Sequence, residues 1–435
     1  MSQNKSFTII SLGCPKNLVD SEVFCSIFKE SGYTFTHAVE KANIVLINTC
    51  GFIQDAQEEA IMTILETAKT INNSPSFGGG RGRVDKTLIV TGCLVKRFKD
   101  ELITDIPEVD VWLDLKDFSR LKQIVNAPTN TLTQRELLTP KHYAYLRVSD
   151  GCDNKCSYCA IPSIRGNHKS EPIDTLLEEA KYLAGKGVKE LIINAQDTTK
   201  YGYDLYGESA LIELLKRIEE MSLFPWLRLL YLHPAHLTEK MILQLAEFKT
   251  LLPYFDIPLQ HINSDILSAM NRKVDPETII KRLYLLRETF PDCAIRTTFI
   301  TGFPSETKQQ FKELELFIKD FKFTRLGVFT YSHEIGTPAY DLTPLVPFRT
   351  AQKRKDKLMA IQQPISSEIM SGYIGKTLEV IIDKDSDEEG FTHEGRSYMD
   401  APEIDGKVYI QNGRYEIGDI VKVKITDAWE YDLVM

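Results

Sequence analysis

The sequence predicts an α/β protein in three parts: an N-terminal domain on a parallel sheet, a central partial (β/α)6 barrel, and a small C-terminal antiparallel β-barrel. Three observations lead there. Short β-branched runs alternate with helically spaced segments over residues 1–125, and six such units recur across 142–367. From Tyr373 onward the texture changes to short alternating runs between glycines. A chain of 435 residues also exceeds the ~250–300 at which a single core stops growing.

The first domain repeats one unit three times, an apolar run that ends in a cysteine and leads into a polar or helical stretch. The runs are Phe7 to Leu12 before Cys14, Ile44 to Ile47 before Cys50, and Leu88 to Val90 before Cys93. Leu18 to Phe28 and Ala56 to Ala68 have helical spacing. Parallel strands point one way, so the three cysteines should converge on one sheet edge, where open α/β sheets bind ligands. Cys25 and Cys293 stand outside these patterns in amphipathic stretches and read as packing residues.

Residues 72–85, rich in Gly and Ser, read as a surface loop; the two arginines there leave open a contact with RNA beside the plainer reading of a solvated insertion. Residues 126–141, with Pro and Thr, read as a linker into the barrel. Barrel strands are expected at Ala144 to Val148, Glu190 to Asn194, Leu227 to Leu232, Tyr254 to Ile257, Ala294 to Ile300 and Leu326 to Tyr331. Helices are expected at Leu176 to Leu183, Leu211 to Ile218 and Phe311 to Phe317, with a long closing helix near Ala351 to Met370. Chemistry belongs on the loops after the strands, as in complete barrels.

The last domain, 368–435, is expected to hold strands at Leu378 to Ile382, Val408 to Ile410 and Ile420 to Ile425. It also holds all of the excess negative charge. From Glu368 onward 16 Asp or Glu face 7 Lys or Arg, a balance of -9, which equals the formal net charge of the whole chain. Everything before it is neutral. No apolar run reaches the ~18 residues of a membrane span, and MSQNKSFTII does not read as a signal peptide. A cytoplasmic protein is expected, with cysteines that are catalytic, metal-bound or unpaired.

The chemistry concentrates in GCDNKCSYCAIPSIRG, where Cys152, Cys156 and Cys159 follow the first barrel strand with three and two residues between them. Thiolates suit both zinc and iron–sulfur clusters. Structural zinc takes four protein ligands, so it would have to recruit His168 or a distant residue. A cubane held by three thiolates keeps one iron open to a cofactor, and the ligand count favours this reading.

A C-x3-C-x2-C loop after the first strand of a partial barrel resembles that of the radical S-adenosylmethionine superfamily. SLGCPKNLVDSE around Cys14, NTCGF around Cys50 and TGCLVKR around Cys93 are similar to the N-terminal domain of its methylthiotransferase family. The resemblance covers nearly the entire chain, including a TRAM-like C-terminal barrel. It implies two 4Fe-4S clusters, one on Cys152, Cys156 and Cys159 and one on Cys14, Cys50 and Cys93, set face to face. S-adenosylmethionine would bind the open iron. Tyr158 would then lie beside its adenine, unless it is plain core. NAQD, with Gln196 and Asp197, and FITGFPSET, with Gly302, resemble cofactor-contacting segments.

Gly302 would let backbone approach the cofactor, or else form a turn into a helix capped by Ser305. His261, in FDIPLQHIN with Asp256 and Gln260, is open between a structural and an active-site role, as is Arg165 between a ligand contact and an acidic partner. Cys14-Pro15-Lys16-Asn17, GRSYMDAPEIDG (395–406) and the YDLV ending resemble the RimO branch, which methylthiolates the β-carbon of an aspartate in small-subunit ribosomal protein S-twelve. The acidic tail agrees, because it repels phosphates and attracts a basic protein. The branch that modifies an adenosine in tRNA is the alternative. A noncatalytic RNA-binding or zinc-bearing scaffold is the alternative of another class. The implied partners are the S-twelve protein, free or on the ribosome, and an electron donor such as flavodoxin or ferredoxin; no membrane is implied.

Overall fold

The computed structural model describes residues 5–73, 86–128 and 134–435. The glycine-rich stretch is outside them beyond Asn73, as is part of the 126–141 linker. The chain forms two compact units. The first is Met1–Leu138 with Gly151–Asp153 and Cys159–Asn167; the second is Thr139–Asp150, Asn154–Tyr158 and His168–Met435.

In the first unit, β1 (Ser6–Ser11), β2 (Thr34–Phe35), β3 (Ile44–Thr49), β4 (Thr87–Gly92) and β5 (Val111–Trp112) form a wholly parallel sheet in the order β2-β1-β3-β4-β5. Alternate residues of β3 serve opposite faces. Val45 and Ile47 pack with Ala60, Ile64 and Ala68 of the helix Gln54–Asn73, while Ile44 and Leu46 pack with Phe24, Ile27 and Phe28 of the helix Pro15–Glu30. Burial on both faces is why these strands read as continuous apolar runs. Pro15 opens its helix, where a missing N–H costs nothing. Cys25 is buried in the second of these clusters.

The second unit contains the partial barrel. Its strands are β6 (Tyr143–Arg147), then, after the short antiparallel pair β7 (Ser149–Asp150) and β8 (Lys169–Ser170), β9 (Glu190–Asn194), β10 (Trp226–Leu229), β11 (Leu251–Asp256), β12 (Ala294–Thr301) and β13 (Arg325–Thr330). The six run parallel in the order β13-β12-β11-β10-β9-β6, with helices between them and a long helix Phe348–Ser371 after the last. The helix Lys308–Phe321 starts on a capping box: Thr307 accepts from Gln310 N, and the Gln310 side chain returns to Thr307 N. Thr307, not Ser305, is therefore the cap. Three residues after Ser305 stands Lys308, which cannot accept a hydrogen bond from the cap N–H.

The C-terminal sheet, of β14 (Thr377–Asp385), β15 (His393–Arg396), β16 (Val408–Ile410), β17 (Ile420–Lys424), β18 (Asp427–Ala428) and β19 (Leu433–Val434), has the order β17-β14-β15-β16-β19-β18. It is antiparallel except that β16 and β19 run parallel. Residues 368–435 pack in the same unit as the barrel. An apolar cluster of Trp226, Leu252 and Ile381 and a network of ion pairs join the two. Glu190 at the start of β9 takes Arg228 Nε at 2.6 Å on one oxygen and Arg396 Nη1 at 2.7 Å on the other, and all three side chains are nearly or fully buried. Arg396 also bonds Asp383 at 2.8 Å, Arg325 pairs with Asp400, and Tyr254 donates to Asp405 at 2.6 Å.

Replacing Glu190 by Gln leaves two buried guanidinium groups short of countercharge. Breaking a buried pair this way costs about 3–5 kcal/mol, so the denaturation midpoint of Glu190→Gln should fall steeply. A midpoint equal to the parent's would show that the network contributes nothing to holding the C-terminal sheet.

Candidate active site

In the first unit, register decides where the cysteines lie. Ser11 pairs with Asn48, Asn48 with Thr91 and Thr49 with Gly92. Cys50 and Cys93 each come one residue after the paired Thr49 and Gly92, and Cys14 follows β1 by three residues. Gly13 joins Cys14 to Cys50. It adopts φ +86°, and a Cβ there would come within 2.7 Å of Cys50 Cβ and 2.9 Å of its Sγ, so only glycine fits this approach.

Asn17 organises the edge from beneath. Fully buried, it donates through Nδ2 to Leu12 O (3.0 Å) and Thr49 O (2.8 Å). Its Oδ1 accepts from Arg165 Nη2 (2.6 Å) and from the Cys93 thiol (3.5 Å). Asn48 donates in turn to Asn17 O at 2.8 Å. Arg165 also pairs with Asp20 at 3.0 Å, both side chains buried, so the acidic-partner role expected for it is present.

Burial pushes the Cys93 thiol up to about 12; Arg165 opposes this, and charge on Cys14 or Cys50 adds to it. Burial likewise raises Cys50, against the N–H of Phe52 and with a further push from Cys14. Cys50 and Cys93, desolvated and close enough to neighbouring thiolates to be repelled by them, are poor bare anions. Bound metal reverses that balance. Cys14 caps a 16-residue helix and Cys93 opens a 13-residue one, so helix N-termini face the same edge and favour a net-negative cluster. The donor set fits a thiolate-bound iron–sulfur group.

Of the loop cysteines, Cys152 and Cys159 fall in segments of the first unit and Cys156 in one of the second. The Cys152 N–H bonds Gly166 O at 3.1 Å. Cys156 is buried, and Arg272 Nη1 approaches its Sγ at 3.5 Å and Tyr158 OH at 3.3 Å. Tyr158 packs beside Ile266, Met270, Phe303 and Ala339, so it is partly core and partly polar contact. His168 engages Ser170 at 3.1 Å and Asp204 at 3.6 Å.

The other predicted residues sort differently. Asp197 is fully buried and held by Asn154 (2.7 Å), His236 Nδ1 (2.7 Å) and Thr199. Although burial opposes its charge, the His236 bond foremost, then the neighbouring histidines and the Thr199 hydroxyl, keep its carboxyl well below the usual range. His233 lies beside it, within 4.8 Å ligand-atom to ligand-atom, as does His236. The backbone N–H of Ala235 donates to His233 Nδ1 (3.2 Å), so the neutral ring carries its proton on Nε2, which then has no lone pair for a metal. Gln196 donates to Asp150 at 2.8 Å and leaves a buried Oε1 without a partner. Ser149 Oγ and both amide atoms of Asn194 are also buried and unpartnered. These groups sit at the C-terminal ends of neighbouring β6 and β9, and a polar ligand such as S-adenosylmethionine would complete their hydrogen bonds.

Gly302 serves packing. At φ +77°, a Cβ would collide with Ala351 of the long helix, and its N–H bonds Glu306 Oε2 at 2.5 Å. Glu306 also takes Arg354 at 2.7 Å and His261 at 3.4 Å, which gives His261 a structural partner. Sequence reasoning missed Asn17, Ser149 and Arg272 as site groups. Asn17 and Asn194 had a visible signal, as the last residue of the Cys14-Pro15-Lys16-Asn17 motif and the first of NAQD.

Three families match. The Radical SAM superfamily covers residues 146–318, the Uncharacterized protein family UPF0004 covers 6–114 and the TRAM domain covers 374–435. Among curated proteins, the chain is 42% identical over 426 residues to "Ribosomal protein uS12 methylthiotransferase RimO" of Aquifex aeolicus, covering 98% of this chain and 95% of that protein. The protein of the same name in Sulfurihydrogenibium sp. is 44% identical, with 99% of each covered. That in Clostridioides difficile is 42% identical, with 98% and 97% covered. Among solved structures, the radical S-adenosylmethionine methyltransferase TsrM of Kitasatospora setae, with cobalamin and a [4Fe-4S] cluster bound, aligns with a TM-score of 0.53 at 12% identity over 86% of this chain and 80% of that one. At that identity the likeness is one of fold.

Asn17→Ala removes the donor to two buried carbonyls and the acceptor for Arg165. The loss of one such group costs about 1–3 kcal/mol, and iron retention after reconstitution should fall with it. Unchanged stability and unchanged iron content together would refute the role of Asn17 as the organiser of this edge.

Proposed function

The chain belongs to the RimO family of ribosomal protein uS12 methylthiotransferases, and we propose how its own residues serve that radical SAM chemistry. Cys14, Cys50 and Cys93 hold one 4Fe-4S cluster. Cys152, Cys156 and Cys159 would hold the other, and their three thiolates would leave it able to bind S-adenosylmethionine. When bound, these groups supply the one-electron cleavage that makes a carbon radical, and the methylated sulfur that is transferred. A radical is required because the β-C–H bond of an aspartate is too weakly acidic for base chemistry.

The protein's task is position and exclusion. Ser149, Asn194 and Gln196 offer buried polar atoms to the cofactor, and Asp197, fixed by three partners, keeps its charge beside them. Tyr158 presents a ring braced by Arg272. Gly302 acts indirectly, by letting the helix Phe348–Ser371 close on the turn after β12.

The observation that carries the reading is the convergence of the three strand-end cysteines over Asn17 in a chain that also has the C-x3-C-x2-C loop. The substrate reading is an aspartate of uS12, the S-twelve protein, free or on the ribosome. A C-terminal balance of -9 disfavours phosphate and favours a basic protein. The electron comes from a donor of the flavodoxin or ferredoxin class. The setting we infer is the cytoplasm, from the pattern of cysteine usage; no helix among the described residues is long and apolar enough to cross a membrane.

The test offers reconstituted enzyme, S-adenosylmethionine and reductant a uS12 peptide and a tRNA in competition, with the products weighed by mass spectrometry. Gain of a methylthio group on the peptide alone is expected. Modification of the tRNA alone would overturn the substrate reading, and modification of neither, without cofactor cleavage, would favour a noncatalytic scaffold.

A further inference from the structure

Arg272 is a buried cation, 3% exposed, in a place where a cation needs a reason. Among the described residues it has no carboxylate within ion-pair distance, unlike Arg228, Arg325, Arg354 and Arg396, the other buried arginines of this unit, each of which bonds an Asp or Glu. Its contacts are Cys156 Sγ at 3.5 Å, Tyr158 OH at 3.3 Å and the Pro258 carbonyl, and its Nε has none. The acceptor that can carry a full negative charge near neutral pH is the thiolate of Cys156 once metal is bound.

The backbone holds this contact in place. Arg272 sits in a turn between Asn271 (φ +56°) and Lys273 (φ +56°), both in the left-handed region. That turn grips the segment around Cys156 from both sides. Ser157 N donates to Met270 O (3.0 Å) and Ser157 Oγ to Ala269 O (2.7 Å), while Asn271 Nδ2 donates to Lys155 O (2.8 Å). So many bonds from consecutive residues fix the guanidinium at the sulfur.

A cubane on three thiolates is net negative and gains one more negative charge on reduction. A buried cation that donates N–H to a ligand sulfur stabilises the reduced form more than the oxidised one and raises the potential. We propose that Arg272 is the built-in counterion of the cluster held by Cys152, Cys156 and Cys159, and that it sets how readily this cluster accepts an electron. This rests on the six-cysteine reading above. Arg272 is thus a positioning and tuning residue: it acts on Cys156 and braces Tyr158.

The test is a redox titration followed by electron paramagnetic resonance. It uses the full chain carrying Cys14→Ala, Cys50→Ala and Cys93→Ala, so that one cluster gives the signal, without S-adenosylmethionine. Adding Arg272→Gln should lower the ratio of reduced to oxidised cluster at a fixed potential at least tenfold, a shift of ~59 mV for one electron. Arg272→Lys keeps the charge but loses the planar fork, and its midpoint should fall between the two. Tyr158→Phe, which leaves the guanidinium at the sulfur, should not lower the midpoint.

Equal midpoints for Arg, Lys and Gln overturn the proposal, and so does a Lys midpoint as low as that of Gln. If Arg272→Gln assembles no cluster, the Lys comparison decides: a negative shift supports the proposal and no shift overturns it. A parent that forms no cluster at all refutes the six-cysteine reading, and the proposal falls with it.

Discussion

Parallel strand pairing is the constraint on which this molecule depends. In the first sheet the pairs Ser11 with Asn48 and Asn48 with Thr91 bring strand ends from distant parts of the chain level with one another. In the barrel, Arg147 with Asn194 and Thr301 with Thr330 do the same. Each parallel ladder leaves the carbonyl-end residues of several strands side by side and unable to continue the sheet, so whatever follows them shares one edge. Cysteines placed one to three residues after such ends become neighbours without local sequence contact.

The two ends of the barrel strands are treated in opposite ways. Near their N-termini, Glu190, Arg228, Arg296 and Arg325 are closed by charges from Asp383, Arg396, Asp400 and Asp405 of the C-terminal region. Near their C-termini, Ser149, Asn194 and Gln196 keep buried polar atoms with no partner in the chain. Desolvated and unsatisfied groups cost stability, and a ligand at these strand ends would offset that cost. The two ends are thus distinguished by kind: paired charges close one, and neutral polar side chains with open hydrogen-bonding atoms stand at the other.

Much of this was legible in the sequence, because the signals were local. Apolar runs, helical spacing and the C-x3-C-x2-C interval each lie within a short window, and the strand ranges differ from those expected by only a few residues at their ends. What escaped were contacts between residues far apart in sequence. Arg272 meets Cys156 across 116 positions and Arg165 meets Asn17 across 148, and no spacing rule reaches that far. Gly302 was read through the general permissiveness of glycine, and its close approach to Ala351 is a distant contact of the same kind. The cap at Thr307 was legible and misassigned: the capping-box pattern was present at Thr307 to Gln310, two residues beyond Ser305. The parallel pairing of β16 with β19 breaks the antiparallel pattern because the last strand returns from β18 to the outer side of β16, a matter of topology that alternation does not encode.

The central claim is that two triads of cysteine hold two separate clusters. Counting iron and sulfide after anaerobic reconstitution, with Mössbauer spectra to identify the cluster type, tests it most directly. The chain with all six cysteines should hold about eight irons as two cubanes, and Ala at either triad should leave about four. A full load of iron in either triple variant, or zinc in place of iron at either triad, would contradict the account.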